Sequence, residues 1–200
     1  MSFKNKKSLG QNFLIDDNVI RNIVNNGDIN EDDIILEVGP GTGNLTIEIL
    51  KKKPKKLILI EKDKRLYEIL KNKFGEKVEI YNDDILNCYD NFRLEKPLKI
   101  FGNLPYNIST KLLSSWIKID ELSKFYNKFI LVFQKEVADR IIAKDNTKNY
   151  GRLSILSSWK LNKKKILDIS PNCFNPIPKV WSSLLVLEPK TTYFELNNCK

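Results

Sequence analysis

Histidine is missing from the whole chain of 200 residues. Its absence removes histidine triads, imidazole general bases and histidine metal sites together. Cysteine is scarce: Cys88, Cys173 and Cys199 are scattered with no C-x-x-C pair, so neither a zinc site nor a disulfide framework is suggested. No apolar run is long enough to cross a bilayer, and Met1 to Gly10 has no signal-peptide core, so the expected address is cytoplasmic, with no membrane partner. Internal repeats, low-complexity segments and interdomain linkers are lacking as well. Any chemistry must therefore come from carboxylates, amides, aromatics and backbone groups.

What is present supports a globular α/β domain. Hydrophobic residues make up 42% of the chain, enough for a substantial core. The net charge of +9 fits a polyanionic partner such as nucleic acid, although a chain rich in Lys, Asn and Ile throughout also fits a bias of base composition. The most informative stretch is Ile34-Ile35-Leu36-Glu37-Val38-Gly39-Pro40-Gly41-Thr42-Gly43. A branched apolar run that stops at glycine reads as a buried strand of a parallel sheet. The glycines allow either a tight turn or a close backbone approach to a ligand. Asn44 to Leu50 then has helical apolar spacing, ended by Pro54. The spacing is G-x-G-x-G, and no lysine follows as a phosphate-binding loop requires. A second strand, Lys56 to Ile60, ends in Glu61, an acid about 20 residues past the glycines, where ribose hydroxyls are held in such folds.

Along the rest of the chain, Lys4 to Lys7 is basic, Gln11 and Asn12 are amides, and Phe13 and Leu14 are apolar. The segment is either a solvated arm or a phosphate contact followed by a pocket wall. Asp16 or Asp17 can cap a helix whose apolar face is Val19, Ile20, Ile23 and Val24. Arg65 to Phe74 reads as a helix closed by Gly75, and Lys77 to Tyr81 as a third strand. Asp84, at that strand's end, is either a helix N-cap or an acceptor for an adenine amine. A fourth strand, Leu98 to Gly102, delivers Asn103-Leu104-Pro105-Tyr106, and Ser109 is placed to cap the helix bearing Leu112, Leu113, Trp116 and Ile117. Asn103 is either a turn former or a ligand group at the carboxyl edge of the sheet. Phe129 to Phe133 is a fifth strand, followed by the helix Lys135 to Ile142. Tyr150-Gly151-Arg152 opens a sixth strand region ending near Trp159, and Lys163 to Lys165 is a basic run. Pro171 to Val180 is a proline-stiffened ordered loop in which Phe174 is either a buried staple or an exposed ring. Ser183 to Leu187 is the seventh strand.

Taken in order, Leu9-Gly10-Gln11-Asn12-Phe13-Leu14, Glu37 to Gly43, Asn103 to Tyr106, Gln134 to Ala138, Tyr150 to Ser154 and Phe174 to Val180 resemble the ribosomal RNA adenine dimethyltransferase family, on its KsgA/RsmA branch. The resemblance spans Leu9 to Pro189. It implies a Rossmann-like methyltransferase fold dependent on S-adenosylmethionine, with a seven-stranded, mostly parallel sheet, one antiparallel strand and helices on both faces. Residues 1–189 would be the catalytic domain, and residues 190–200 a short tail that would start a C-terminal helical domain expected to be missing here. By position, Gln11, Asn12, Leu14, Gly39, Gly41, Glu61, Asp84 and Asn103 would bind the donor. Asn103, Leu104 and Tyr106 would carry catalysis, with Tyr106 and Phe174 stacking on the target adenine. The implied substrate is a pair of adjacent adenosines in 16S ribosomal RNA of the small subunit, each methylated twice on N6 by a monomeric enzyme without a metal. The alternatives are an Erm-type 23S ribosomal RNA methyltransferase, a non-catalytic assembly or transcription factor of the same fold and, more remotely, a NAD-dependent oxidoreductase.

Overall fold

The computed structural model describes residues 11–92 and 97–194. The first half of the chain forms β1 (Phe13–Leu14), α1 (Asp17–Asn25), β2 (Ile34–Val38), α2 (Asn44–Lys51), β3 (Lys56–Ile60), α3 (Lys64–Phe74), β4 (Glu79–Tyr81) and α4 (Ile85–Cys88). The second half forms β5 (Leu98–Asn103), α5 (Tyr106–Ile117), α6 (Leu122–Phe125), β6 (Tyr126–Gln134), α7 (Lys135–Ile142), α8 (Arg152–Lys160), β7 (Leu161–Ile169), β8 (Phe174–Asn175) and β9 (Ser182–Pro189).

Seven of these strands make one sheet in the order β4-β3-β2-β5-β6-β9-β7. Only β9 runs against its neighbours, pairing antiparallel with both β6 and β7, while the remaining pairs are parallel. This is the sheet that the resemblance implies. Successive side chains of a strand point to opposite faces, and the two apolar clusters divide accordingly. Leu36, Val38, Ile58 and Ile60 pack with Leu112, Leu113 and Trp116 of α5 and Ala138 and Ile141 of α7. Ile35, Leu57 and Leu59 pack with Ile20, Ile23 and Val24 of α1, Leu45 and Ile49 of α2, and Leu70 and Phe74 of α3. Burial on both faces explains why β2 and β3 are apolar on both sides apart from Glu37 and the exposed Lys56, rather than alternating.

Chain order reverses between β2 and β5, because β3 and β4 lie to one side of β2 and β5 and β6 to the other. Val38 is in register with both Ile60 and Gly102. The residues that follow, Gly39, Glu61 and Asn103, therefore emerge side by side at the point where open α/β sheets collect ligands.

Four local expectations are corrected. The region from Arg152 to Lys160 is the helix α8, and the sixth strand of the large sheet is β7, which contains Lys163 to Lys165. The buried stripe of α8 is polar: Ser154, Ser157 and Lys160, spaced by three, are at most 1% exposed. Ser154 Oγ donates to the Arg140 carbonyl at 2.6 Å and Ser157 Oγ to the Ile141 carbonyl at 2.9 Å. These hydroxyls satisfy carbonyls at the C-terminal end of α7 that have no partner within their own helix. Second, Ser109 caps nothing: α5 begins at Tyr106 after Pro105, and Ser109 lies buried in the first turn, donating to the Tyr106 carbonyl at 3.2 Å. Third, Phe174 and Asn175 leave the loop description behind by forming β8, antiparallel to β1; Pro176 ends it at once. Fourth, the third strand is shorter than expected, since Gly75–Lys77 is a turn of 3-10 helix. Asp16, rather than Asp17, caps α1, accepting from Val19 N at 2.9 Å. Among the described residues no helix is long and apolar enough to cross a membrane. Lys4 to Gly10 and Cys199 lie outside the described residues.

Candidate active site

A crevice of about 150 Å³ opens at the carboxyl ends of β2, β3 and β5. Its walls include seven of the residues singled out from the sequence: Gln11, Asn12, Gly39, Gly41, Glu61, Asp84 and Asn103. The glycine loop forms one wall because its backbone enters the left-handed region, with φ of 65° at Gly39 and 59° at Gly41. A Cβ at Gly39 would meet nothing within 4 Å and would project from strained backbone, whereas one at Gly41 would come within 2.7 Å of the Phe13 ring. Gly39 thus leaves the wall open to a ligand, and Gly41 makes room for Phe13.

Glu61, 6% exposed, ties this loop to the next strand. One carboxyl oxygen accepts from Gly41 N at 3.2 Å and the other from Asp63 N at 2.8 Å. Burial pushes its carboxyl up to about 7, against the lowering effect of those two N–H groups. Asp63 beside it is held well below the usual carboxylate range, chiefly by Arg65 and then, against burial, by Gln11. Asp63 also caps α3 and accepts from Gln11 Nε2 at 3.0 Å, which fixes the N-terminal segment against the crevice. Asp84 does what an N-cap does, accepting from Leu86 N at 3.0 Å, and its second oxygen accepts from Lys62 Nζ at 2.7 Å. Burial raises its carboxyl, but Lys62 and the Leu86 N–H outweigh that and hold it low.

Asn103 stands at the end of β5 with its amide in the crevice. Its Nδ2 donates to the Asn12 carbonyl at 2.8 Å, so the amide oxygen is the group left to accept from a ligand. Leu14 is core, 6% exposed, and borders a smaller recess of about 30 Å³ shared with Gly39 and Asn103. The Leu104 side chain is likewise core. Tyr106 is half-buried, with its hydroxyl 2.7 Å from Ser182 Oγ.

Phe174 does not reach the site. It is 1% exposed, in register with Leu14 and packed in the cluster that holds α1 and α2. The expected slot between Tyr106 and Phe174 is therefore absent, and the buried-staple alternative is the one the fold adopts. Phe13, Lys62 and Ile108 also line the crevice. Phe13 lies in the Leu9 to Leu14 motif, which marks it only as apolar; Lys62 and Ile108 are neighbours of Glu61 and of the Asn103 loop, and adjacency in sequence is the only signal for them.

Beneath the loop, Glu37 is 1% exposed and accepts from Thr46 Oγ1 at 2.8 Å. Burial pushes its carboxyl up to about 8 from 4.5, with Thr46 opposing and Glu61 adding to the rise. An acid that binds its proton more tightly when folded stabilises the fold fully below its unfolded value, and that contribution is lost as pH rises through the folded one. Glu37→Gln keeps an acceptor for Thr46 without the charge. Its melting temperature relative to the parent is expected to climb by several degrees between about pH 6 and pH 9. Thermal unfolding across that range, with a constant difference as the contrary result, checks this.

A family model described as ribosomal RNA adenine dimethylase matches residues 2–200. Among curated proteins, the ribosomal RNA small subunit methyltransferase A of Pelagibacter ubique is 56% identical over 200 residues, covering 100% of this chain and 76% of that protein. The protein of the same name from the Wolbachia of Brugia malayi is 44% identical over 193 residues, covering 94% and 72%. Among solved structures, a dimethyladenosine transferase from Plasmodium falciparum superposes with a TM-score of 0.76 at 31% identity, over 89% of this chain and 63% of that one. The 23S rRNA methyltransferase ErmE superposes with a TM-score of 0.77 at 25% identity, over 93% and 73%.

Proposed function

The chain belongs to the ribosomal RNA adenine dimethylase family, and on that premise we propose that it methylates N6 of two adjacent adenosines near the 3′ end of 16S ribosomal RNA. Each is dimethylated during assembly of the small subunit, with S-adenosylmethionine as donor and residues 1–189 as the catalytic unit of a cytoplasmic monomer. The observation that carries this reading is the meeting of the glycine loop and the Asn103 loop across one crevice, with Asn103 already oriented by Asn12.

The crevice suits such a donor. A nucleoside linked to methionine presents ribose hydroxyls, an adenine amine and a cationic sulfur, all of which want acceptors or negative charge. Glu61, Asp84 and the Asn103 amide oxygen provide these on the wall left open at Gly39. Glu61 would hold the ribose hydroxyls, and Asp84 the adenine amine once Lys62 releases it. Gln11, Asn12 and Leu14 would close the remaining side. Bound there, the donor supplies an electrophilic sulfonium methyl, so an in-line transfer needs alignment more than acid–base help.

The residues of this chain have the harder task of preparing the nucleophile. The N6 lone pair of adenine is delocalised into its ring. The Asn103 amide oxygen and the Leu104 carbonyl, each accepting one N6 hydrogen, favour a pyramidal and more nucleophilic nitrogen. As N6 bonds to the methyl carbon, the carbon–sulfur pair stays on sulfur and the surplus proton passes to water. That assignment needs no histidine. Extruding the base from its stack costs a few kcal/mol. Stacking on Tyr106, whose hydroxyl is anchored on Ser182, would return about 1–3 kcal/mol. Phe174 has no part in this, being core.

The similarity to ErmE supports a large-subunit substrate on the same fold. The higher identity to small-subunit methyltransferases favours the small subunit. Incubation with labelled S-adenosylmethionine and undermodified small and large subunits, followed by mapping of the modified base, separates the two. Dimethyladenosine at a neighbouring pair in small-subunit RNA is expected; label confined to large-subunit RNA, or to neither, overturns the proposal.

A further inference from the structure

Trp181 lies 50% exposed at the head of β9 and has no aromatic or cationic partner among the described residues. A tryptophan side chain left this open, on a protein with two well-filled clusters, is not needed by the fold. Its surroundings are open too: Ile177 is 66% exposed, Val180 42%, and Lys179 is exposed with no ion pair among the described residues. Pro176 and Pro178 stiffen the backbone between them, so the ridge needs little ordering on contact. Its place is set at two points. The Lys135 N–H donates to the Trp181 carbonyl at 2.9 Å, holding the ridge at the carboxyl end of β6. The next residue, Ser182, is the one that meets the Tyr106 hydroxyl at 2.7 Å.

We propose that Trp181 and Lys179 form a ridge that receives the single-stranded RNA flanking the target adenosine, Trp181 by stacking on a neighbouring base and Lys179 by pairing with its phosphate. An aromatic platform beside a free cation is the combination that holds single strands without reading sequence. Polyanion is the occupant that the net charge of +9 favours. The ridge adjoins the side of the site assigned to the target base, because Ser182 follows Trp181 directly and meets the Tyr106 hydroxyl. This deepens the function proposed above and rests on it. It adds a determinant of substrate affinity that lies outside the motif residues assigned to donor or base.

The test uses a fluorescein-labelled single-stranded RNA with two adjacent adenosines, followed by anisotropy and, separately, by methyl transfer. Trp181→Ala is expected to weaken RNA binding and raise the RNA KM about tenfold, with kcat at saturation and donor affinity unchanged. Trp181→Phe should recover most of the loss. Lys179→Ala should reduce the slope of log affinity against log salt by about 0.7. Unchanged RNA affinity in Trp181→Ala overturns the proposal and leaves the ridge to a protein partner. A parent protein that binds this RNA but methylates neither subunit sinks the proposed function alone, because anisotropy still reads the ridge. A parent that binds none of this RNA sinks the ridge alone, because the proposed function is read on whole subunits.

Discussion

Asn103→Ala is expected to cut methyl transfer by about 10²–10³-fold, the size of effect seen when one preorganised hydrogen-bonding group is removed from a reacting centre. The argument rests on the division of labour within its amide. Nδ2 is committed to the Asn12 carbonyl at 2.8 Å, so the oxygen faces the crevice as an acceptor. Alanine removes the acceptor for N6 and also frees Asn12. Asn103→Asp separates these effects: it keeps the acceptor oxygen but cannot donate to Asn12, and should also lose activity. Single-turnover rates at saturating RNA and donor measure the loss. A variant whose rate stays within about threefold of the parent would falsify the catalytic role, and the non-catalytic reading of the fold would then gain.

Glu61→Ala should produce the second large effect, on donor affinity rather than on chemistry. A carboxylate accepting from two ribose hydroxyls makes charge-assisted bonds of about 1.5–3 kcal/mol each, so a loss of about 10²–10³-fold in affinity is expected after partial compensation by water. The carboxyl is held up to about 7 by burial. Its protonated form offers one good acceptor instead of two, so donor affinity should rise as pH climbs through about 7 and level off above. Glu61→Gln should abolish that dependence. It should also disturb the loop, because both oxygens now accept backbone N–H groups, from Gly41 and Asp63, and an amide supplies only one acceptor. Titration calorimetry at several pH values tests both statements; a flat profile in the parent would contradict the assignment.

Much of this site was legible because its residues sit where local pattern and chain topology coincide. The apolar runs of β2 and β3 end in Gly39 and Glu61, and the strand order then places those ends together. The family read from the motifs is the one the comparisons return. What failed to show was any feature whose sense depends on a partner far along the chain. The Lys163 to Lys165 run is no more than a basic run in the sequence until Lys163 Nζ is seen against the Ile141 carbonyl and Lys165 Nζ against Asp139 and Asp168. The polar stripe of α8 has no hydrophobic period because its partners are backbone carbonyls of another helix. Phe174 could be read as exposed because nothing near it in sequence announces its pairing with Leu14.

The segment from Gln11 to Ile15 is fastened at separate places: to Asp63, to Asn103, to Asn44 through the Leu14 carbonyl, and to the Cys173 carbonyl through Ile15 N. Each anchor belongs to a different part of the molecule, and only Asn103 lies in a strand of the large sheet, at its last residue. Catalytic readiness therefore needs these anchors in addition to the bonds that hold the large sheet together. Gentle denaturation should silence the enzyme while the buried Trp116 still reports a native interior, as an archway stands after its door has been unhung.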